Sequence, residues 1–189
     1  MAEPAQKPGR SKQDYGTPLA LIRAVETRWG LISVDLAAHA ENAKAARFIT
    51  EAESSRALAW HKFGGLLWLN PPFADIEPWA EKCKAESARG ASIIMLTPAS
   101  VGSNWFAKHC DGDCRVVFLR PRLTFEGCKD PYPKDCMLTL WHPPISGHGF
   151  GGYQLWDWRA STITDDRFDR VRVGYRQGDL FAPASEVAP

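Results

Sequence analysis

The run Leu66-Leu67-Trp68-Leu69 followed by Asn70-Pro71-Pro72-Phe73 constrains the fold more than any other stretch of this chain. Four consecutive apolar residues have the length and character of a strand buried on both faces of a parallel sheet. Proline has no N–H to donate to a sheet ladder, so Pro71 and Pro72 must lie beyond the carboxyl end of that strand. The chain therefore carries an amide, two rigid residues and an aromatic ring at the lip of a sheet.

The elements around this strand follow from periodicity and punctuation. Residues 18–29, PLALIRAVETRW, predict a helix with Thr17 as N-cap, Pro18 at the first helical position and Gly30 after the end. Its apolar stripe is read as Leu19, Ile22, Val25 and Trp29. LISVDLA reads as a strand ending near Asp35, AENAKAARF as a short helix, FIT as a short strand and RALAW as a helical turn. Beyond Phe73 come a helix over 75–89, the strand ASIIMLTPA ending at Thr97-Pro98, and a short helix SNWFAKHC begun by Ser103. CRVVFLR is another strand, RLTFEG a turn or short strand, and CMLTLWH the last strand. Strands alternating with helices imply an α/β domain with a mostly parallel sheet covered on both faces.

The chain reads as one domain over 14–160, between a disordered basic tail (1–13) and a charged, loosely ordered tail (161–189). The formal net charge of +1 provides no global field, so contact with nucleic acid must use a local basic patch. Arg120, Arg122, Lys129 and Lys134 form such a cluster; the alternative reading is a solvated basic loop. No apolar stretch is long enough to predict a transmembrane helix, and the first residues lack the apolar core of a secretory signal. Five cysteines without a disulfide-framework spacing suggest a cytoplasmic protein with reduced thiols. HCDGDC (109–114), with Cys128 and Cys136, matches no zinc-ligand spacing well, so buried structural thiols are expected and no metal. Trp79 and Trp105 are read as core residues, and the glycine-rich loop SGHGFGGY (146–153) as a lid, a DNA-facing loop or a surface connection.

Ligands of open α/β sheets bind beyond the carboxyl ends of strands. Three strand ends here carry unusual residues: Asp35, Asn70 to Phe73, and Thr97-Pro98. With the prolines stiffening the turn, the Asn70 side-chain oxygen and a neighbouring backbone carbonyl can converge on one spot. Two converging acceptors suit an exocyclic amine with two N–H donors. Phe73 offers a face on which a base stacks. Asp35 can accept from hydroxyls or an amine of a bound nucleoside. Taken alone, Asn-Pro-Pro is equally well a turn that ends a strand.

The ordered set DYGTP (14–18), VDLAAHAENAKAARFIT (34–50), Leu58-x-Trp60, LWLNPPF, IMLTPAS (94–100), NWF (104–106), RLTF (122–125) and YPKDCMLTLW (132–141) resembles one family. It is similar to the phage and prophage Dam-like DNA N-6-adenine methyltransferases, from about Gln13 to Trp141. The resemblance implies a compact Rossmann-like methyltransferase fold, S-adenosylmethionine as methyl donor, double-stranded DNA as partner, and a site in the bacterial cytoplasm for a phage or prophage enzyme. It implies that Asn70, Pro71, Pro72 and Phe73 form the catalytic adenine pocket. It places Asp35 in the cofactor region and Asp14, Thr17 and Pro18 over the cofactor. Arg120, Arg122, Phe125 and Lys129 are candidates for the DNA side.

This chain has no Gly-x-Gly loop after the first strand, carries Phe73 where Tyr is frequent, and shows no separate target-recognition domain. The alternatives are a methyltransferase of the same fold acting on cytosine, RNA adenine or protein glutamine, and a non-catalytic nucleic-acid-binding relative.

Overall fold

In the computed structural model, which describes residues 16–143 and 152–160, the strands are β1 (Ile32–Asp35), β2 (Arg47–Phe48), β3 (Leu66–Leu69), β4 (Ser92–Pro98), β5 (Arg115–Arg120), β6 (Cys136–Trp141) and β7 (Gly152–Asp157). The helices are α1 (Leu19–Trp29), α2 (Glu77–Ser87) and α3 (Asn104–His109). The strands form one sheet in the order β2-β1-β3-β4-β6-β5-β7. Every neighbouring pair is parallel except those made by β6, which runs antiparallel to both β4 and β5. The architecture is the expected Rossmann-like α/β sheet, mostly parallel.

The pleat sorts side chains into two cores. From β3, Leu67 and Leu69 point to one face and Leu66 and Trp68 to the other, and all four are buried. The first face is covered by α2 and α3 through Ala80, Cys83 and Phe106, together with Trp60. The second is covered by α1 and by Leu123, Phe125 and Trp158. A strand enclosed on both sides explains why its sequence is apolar without alternation. Register then aligns the carboxyl ends of the strands. Asp35 of β1 lies opposite Trp68 of β3, and Leu69 lies opposite Met95 of β4, so these strands end on the same side of the sheet.

Several local expectations shift. The buried stripe of α1 is Leu21, Ile22, Val25 and Trp29, while Leu19 is 54% exposed. Gly30 does end the helix, at φ 103°, with its N–H donating to the Glu26 carbonyl. Thr17 is not the cap: Pro18 takes that position and the Thr17 side chain is buried without a capping bond. Residues 40–46 form turns instead of a helix, because the Asn42 side chain accepts the His39 N–H and Asp35 accepts the Lys44 N–H. Of its two readings RLTFEG takes the turn, at Glu126 and Gly127, and forms no strand. CMLTLWH is β6 but not the last strand, since β7 follows it and pairs with β5. Gly152 and Tyr153 fell within the loop read over 146–153 and residues 154–157 were assigned no element, so β7, whose side chains are only partly buried, was not anticipated.

Four of the cysteines (Cys83, Cys110, Cys114 and Cys136) are buried thiols, and Cys128 is exposed. Trp79 stacks on Trp60 with ring centroids 6.3 Å apart, and Trp105 packs edge-on against Phe106, both against the first core. Among the described residues no helix is long and apolar enough to cross a membrane. Asp14, the tails 1–13 and 161–189, and residues 144–151 of the glycine-rich region lie outside the described residues.

Candidate functional site

The carboxyl edge of β1 and β3 opens onto a small pocket lined by Thr17, Asp35, Asn42, Lys44, Trp68 and Asn70, with Gly16 at its rim. Three of the sequence-predicted residues therefore meet here: Thr17, Asp35 and Asn70. Asp35 is 3% exposed and its carboxylate is cradled by the backbone N–H groups of Lys44 (3.0 Å) and Ala37 (3.3 Å). Burial pushes its carboxyl above the ordinary carboxylate range, against the opposing pull of those N–H groups and of the Lys44 charge.

Two polar atoms of this lining, Thr17 Oγ1 and Trp68 Nε1, are buried with no hydrogen-bond partner among the described residues. Buried polar groups are nearly always satisfied, so orphaned ones beside a buried carboxylate mark a place built for a polar ligand. A hydroxyl, an indole N–H and a carboxylate together match a molecule rich in both donors and acceptors.

Asn70 follows directly from Leu69, and Pro71 is buried behind it while Pro72 is exposed. Phe73 is half-buried. Its ring stands edge-on to Phe125 (6.0 Å between centroids) and to Tyr132 (5.9 Å), and those two rings are 5.4 Å apart. Such pairs contribute about 0.5–1.5 kcal/mol each beyond area burial. The three rings form a braced aromatic cluster beside Asn70. Phe125, a candidate for touching the substrate, is 2% exposed and stands behind Phe73 in the core. From there it supports Phe73.

The basic residues divide. Arg122 lines a second, open cleft at the same edge, with Ser100, Lys134 and Asp135, and its Nε donates to Asp135 Oδ1 at 2.7 Å. Arg120 ends β5 and pairs with Asp157 at 3.4 Å. Lys129 and Lys134 stand exposed on the loop between β5 and β6. Surface pairs of this kind contribute about 0–1 kcal/mol, so these cations remain free to exchange partners.

Sequence reasoning missed Lys44, Trp68, Asn42 and Tyr132 as parts of the site. Lys44 and Asn42 lie within AENAKAARF, and reading that segment as a helix hid their shared turn. Tyr132 belongs to the YPKDC segment, whose aromatic carried no signal of its own. Glu126, whose carboxylate reaches Lys44 at 2.7 Å, is distant in sequence and was equally hidden.

Residues 5–143 match the family described as DNA N-6-adenine-methyltransferase (Dam). The chain is also similar to a DNA N-6-adenine-methyltransferase of Escherichia phage T1, with 26% identity over 126 residues. That match covers 67% of this chain and 52% of the relative, so the chain spans about half the length of the curated relative it matches. Among solved structures it resembles a predicted O-methyltransferase, protein Atu636 from Agrobacterium tumefaciens, at 16% identity and a TM-score of 0.36, covering 71% of this chain and 70% of the other.

Proposed function

The chain belongs to the DNA N-6-adenine-methyltransferase (Dam) family, and from that premise we propose that it transfers a methyl group from S-adenosylmethionine to the N6 amine of an adenine flipped out of double-stranded DNA. The observation that carries this reading is that Asp35 and Asn70, at the ends of adjacent parallel strands, line one pocket.

The residues present fit the donor. Asp35 accepts from its hydroxyls or amine, and Thr17 Oγ1 and Trp68 Nε1 are buried polar atoms with capacity for a ligand. Pro18, next to Thr17 in sequence, belongs to the same side of the pocket. When bound, S-adenosylmethionine supplies an electrophilic methyl group on a sulfonium.

The chain's own task is to make a weak nucleophile react. The lone pair of an aromatic amine is delocalised into its ring, and attack builds positive charge on nitrogen. The Asn70 side-chain oxygen and a neighbouring backbone carbonyl accept the two N–H bonds of that amine and stabilise the charge as it develops. Pro71 and Pro72 hold these acceptors with little freedom to lose. Phe73, braced by Phe125 and Tyr132, stacks on the adenine. Extruding the base from the duplex costs a few kcal/mol, which stacking and amide contacts offset. Arg120, Arg122 and Lys129 contact the phosphates, giving an affinity that falls with salt. The enzyme works in the cytoplasm of a bacterial cell on phage or host DNA.

The test is methyl transfer from labelled S-adenosylmethionine to unmethylated duplex DNA, with products resolved as nucleosides. Label in N6-methyl-2′-deoxyadenosine supports the reading. Label in methylcytosine, or in RNA or protein but not DNA, overturns it.

A further inference from the structure

Lys44 enters the pocket from the turns between β1 and β2. Its side chain is 5% exposed, its backbone N–H is held by Asp35, and its ammonium lies 2.7 Å from Glu126 Oε2. A buried ammonium requires an anionic partner. Glu126 supplies one from outside the pocket: its side chain is 38% exposed, on the loop between β5 and β6, and its backbone N–H donates to the Gly16 carbonyl at 2.9 Å. The absence of a side chain on Gly16 admits it, since a Cβ there would lie 2.5 Å from Glu126 Oε2. A carboxylate thus rests on Lys44 at the rim of the pocket.

Asp35 and Lys44 are the charged residues of the lining, one of each sign. The amino-acid end of S-adenosylmethionine is a zwitterion with one carboxylate and one ammonium. We propose that Lys44 binds the carboxylate of the cofactor's amino-acid end, and that Glu126 is an intramolecular competitor for the same ammonium. The inference rests on the cofactor reading above and extends it to a named subsite. Because Glu126 stays anchored through Gly16 when its side chain swings away, exchange requires a rotamer change and no unfolding of the loop. The loop that carries Glu126 also carries Phe125, which braces Phe73. Exchange at Lys44 therefore takes place one residue from the support of the adenine pocket.

The experiment compares two probes by calorimetry on the full chain. S-adenosylhomocysteine has the amino-acid end, and 5′-methylthioadenosine has the same nucleoside and sulfur without it. Lys44→Met is expected to weaken S-adenosylhomocysteine binding about tenfold or more, as loss of a charged hydrogen bond implies, and to leave methylthioadenosine within about twofold. Lys44→Arg should restore most of the loss. Glu126→Gln, which removes the competitor, should tighten S-adenosylhomocysteine binding several-fold and leave methylthioadenosine unchanged. Equal weakening of both probes by Lys44→Met, or no tightening in Glu126→Gln, overturns the subsite. A wild-type chain that binds neither probe overturns the cofactor reading itself, and the subsite with it.

Discussion

Asp35 and Trp68 lie directly opposite each other in the parallel ladder of β1 and β3, one at the last residue of its strand and the other two residues before Asn70. This register sets the buried carboxylate beside the Asn-Pro-Pro-Phe turn. A slip of one residue would turn the β3 side chains to the opposite faces and separate the two halves of the pocket.

Burial raises the Asp35 carboxyl against the pull of the Lys44 and Ala37 backbone N–H groups and the Lys44 charge. A ligand that donates to it, or places a cation beside it, favours the ionised form. Cofactor affinity should therefore rise with pH through the folded-state pKa of Asp35, with proton release on binding. Calorimetry in buffers of different ionisation enthalpy would detect that proton. In Asp35→Asn the release should vanish and the affinity should become flat over the same range.

Phe73→Ala removes the proposed stacking face and one ring of the aromatic cluster. DNA affinity should weaken by about 1–3 kcal/mol, with cofactor affinity retained. Phe73→Tyr keeps the ring and should keep activity. Titration of duplex DNA against each variant distinguishes the outcomes.

Phe125→Ala should behave as a core truncation, because the side chain is 2% exposed beneath Phe73 and Tyr132. The expected loss is about 3–5 kcal/mol of stability by urea unfolding. Phe125→Leu should recover most of that stability, and DNA binding should follow stability and not the identity of the ring.

Burial favours protonation of Glu86, but the Lys82 ammonium at 2.8 Å and the His61 backbone N–H and ring outweigh it and hold the carboxyl down at about 2. A folded value below the ordinary 4.5 means that Glu86 stabilises the fold above pH 4.5 and that this contribution is lost as the pH falls toward about 2. Unfolding followed from pH 6 to 2 should show a shallower acid decline in Glu86→Gln than in the wild type, from a lower starting stability.

The parallel core and the place where its strands end were legible because their signals are local. Apolar runs identify buried strands, and two prolines after Asn70 fix where β3 must stop. The helix α1 was legible in extent but not in face: Leu19 and Leu21 are equally apolar, and only packing on the sheet decides which is buried. Residues 40–46 have good helix formers, yet hydrogen bonds donated by the His39 and Lys44 backbone N–H groups to the Asn42 and Asp35 side chains outcompete the helix. The Lys44–Glu126 pair spans 82 positions, and no periodicity encodes a contact of that separation. Strand β7 was hidden because its side chains are half-exposed and its stabilisation comes from pairing with β5.

The most direct test of Asn70 as the acceptor of the adenine amine is the single-turnover rate of methyl transfer to DNA by Asn70→Ala, measured beside its cofactor affinity. The expected result is a rate lower by about 10²–10³-fold with cofactor affinity within a few-fold of wild type, since the amide acts on charge that develops only during transfer. A rate equal to wild type, with N6-methyladenine still the product, would contradict it.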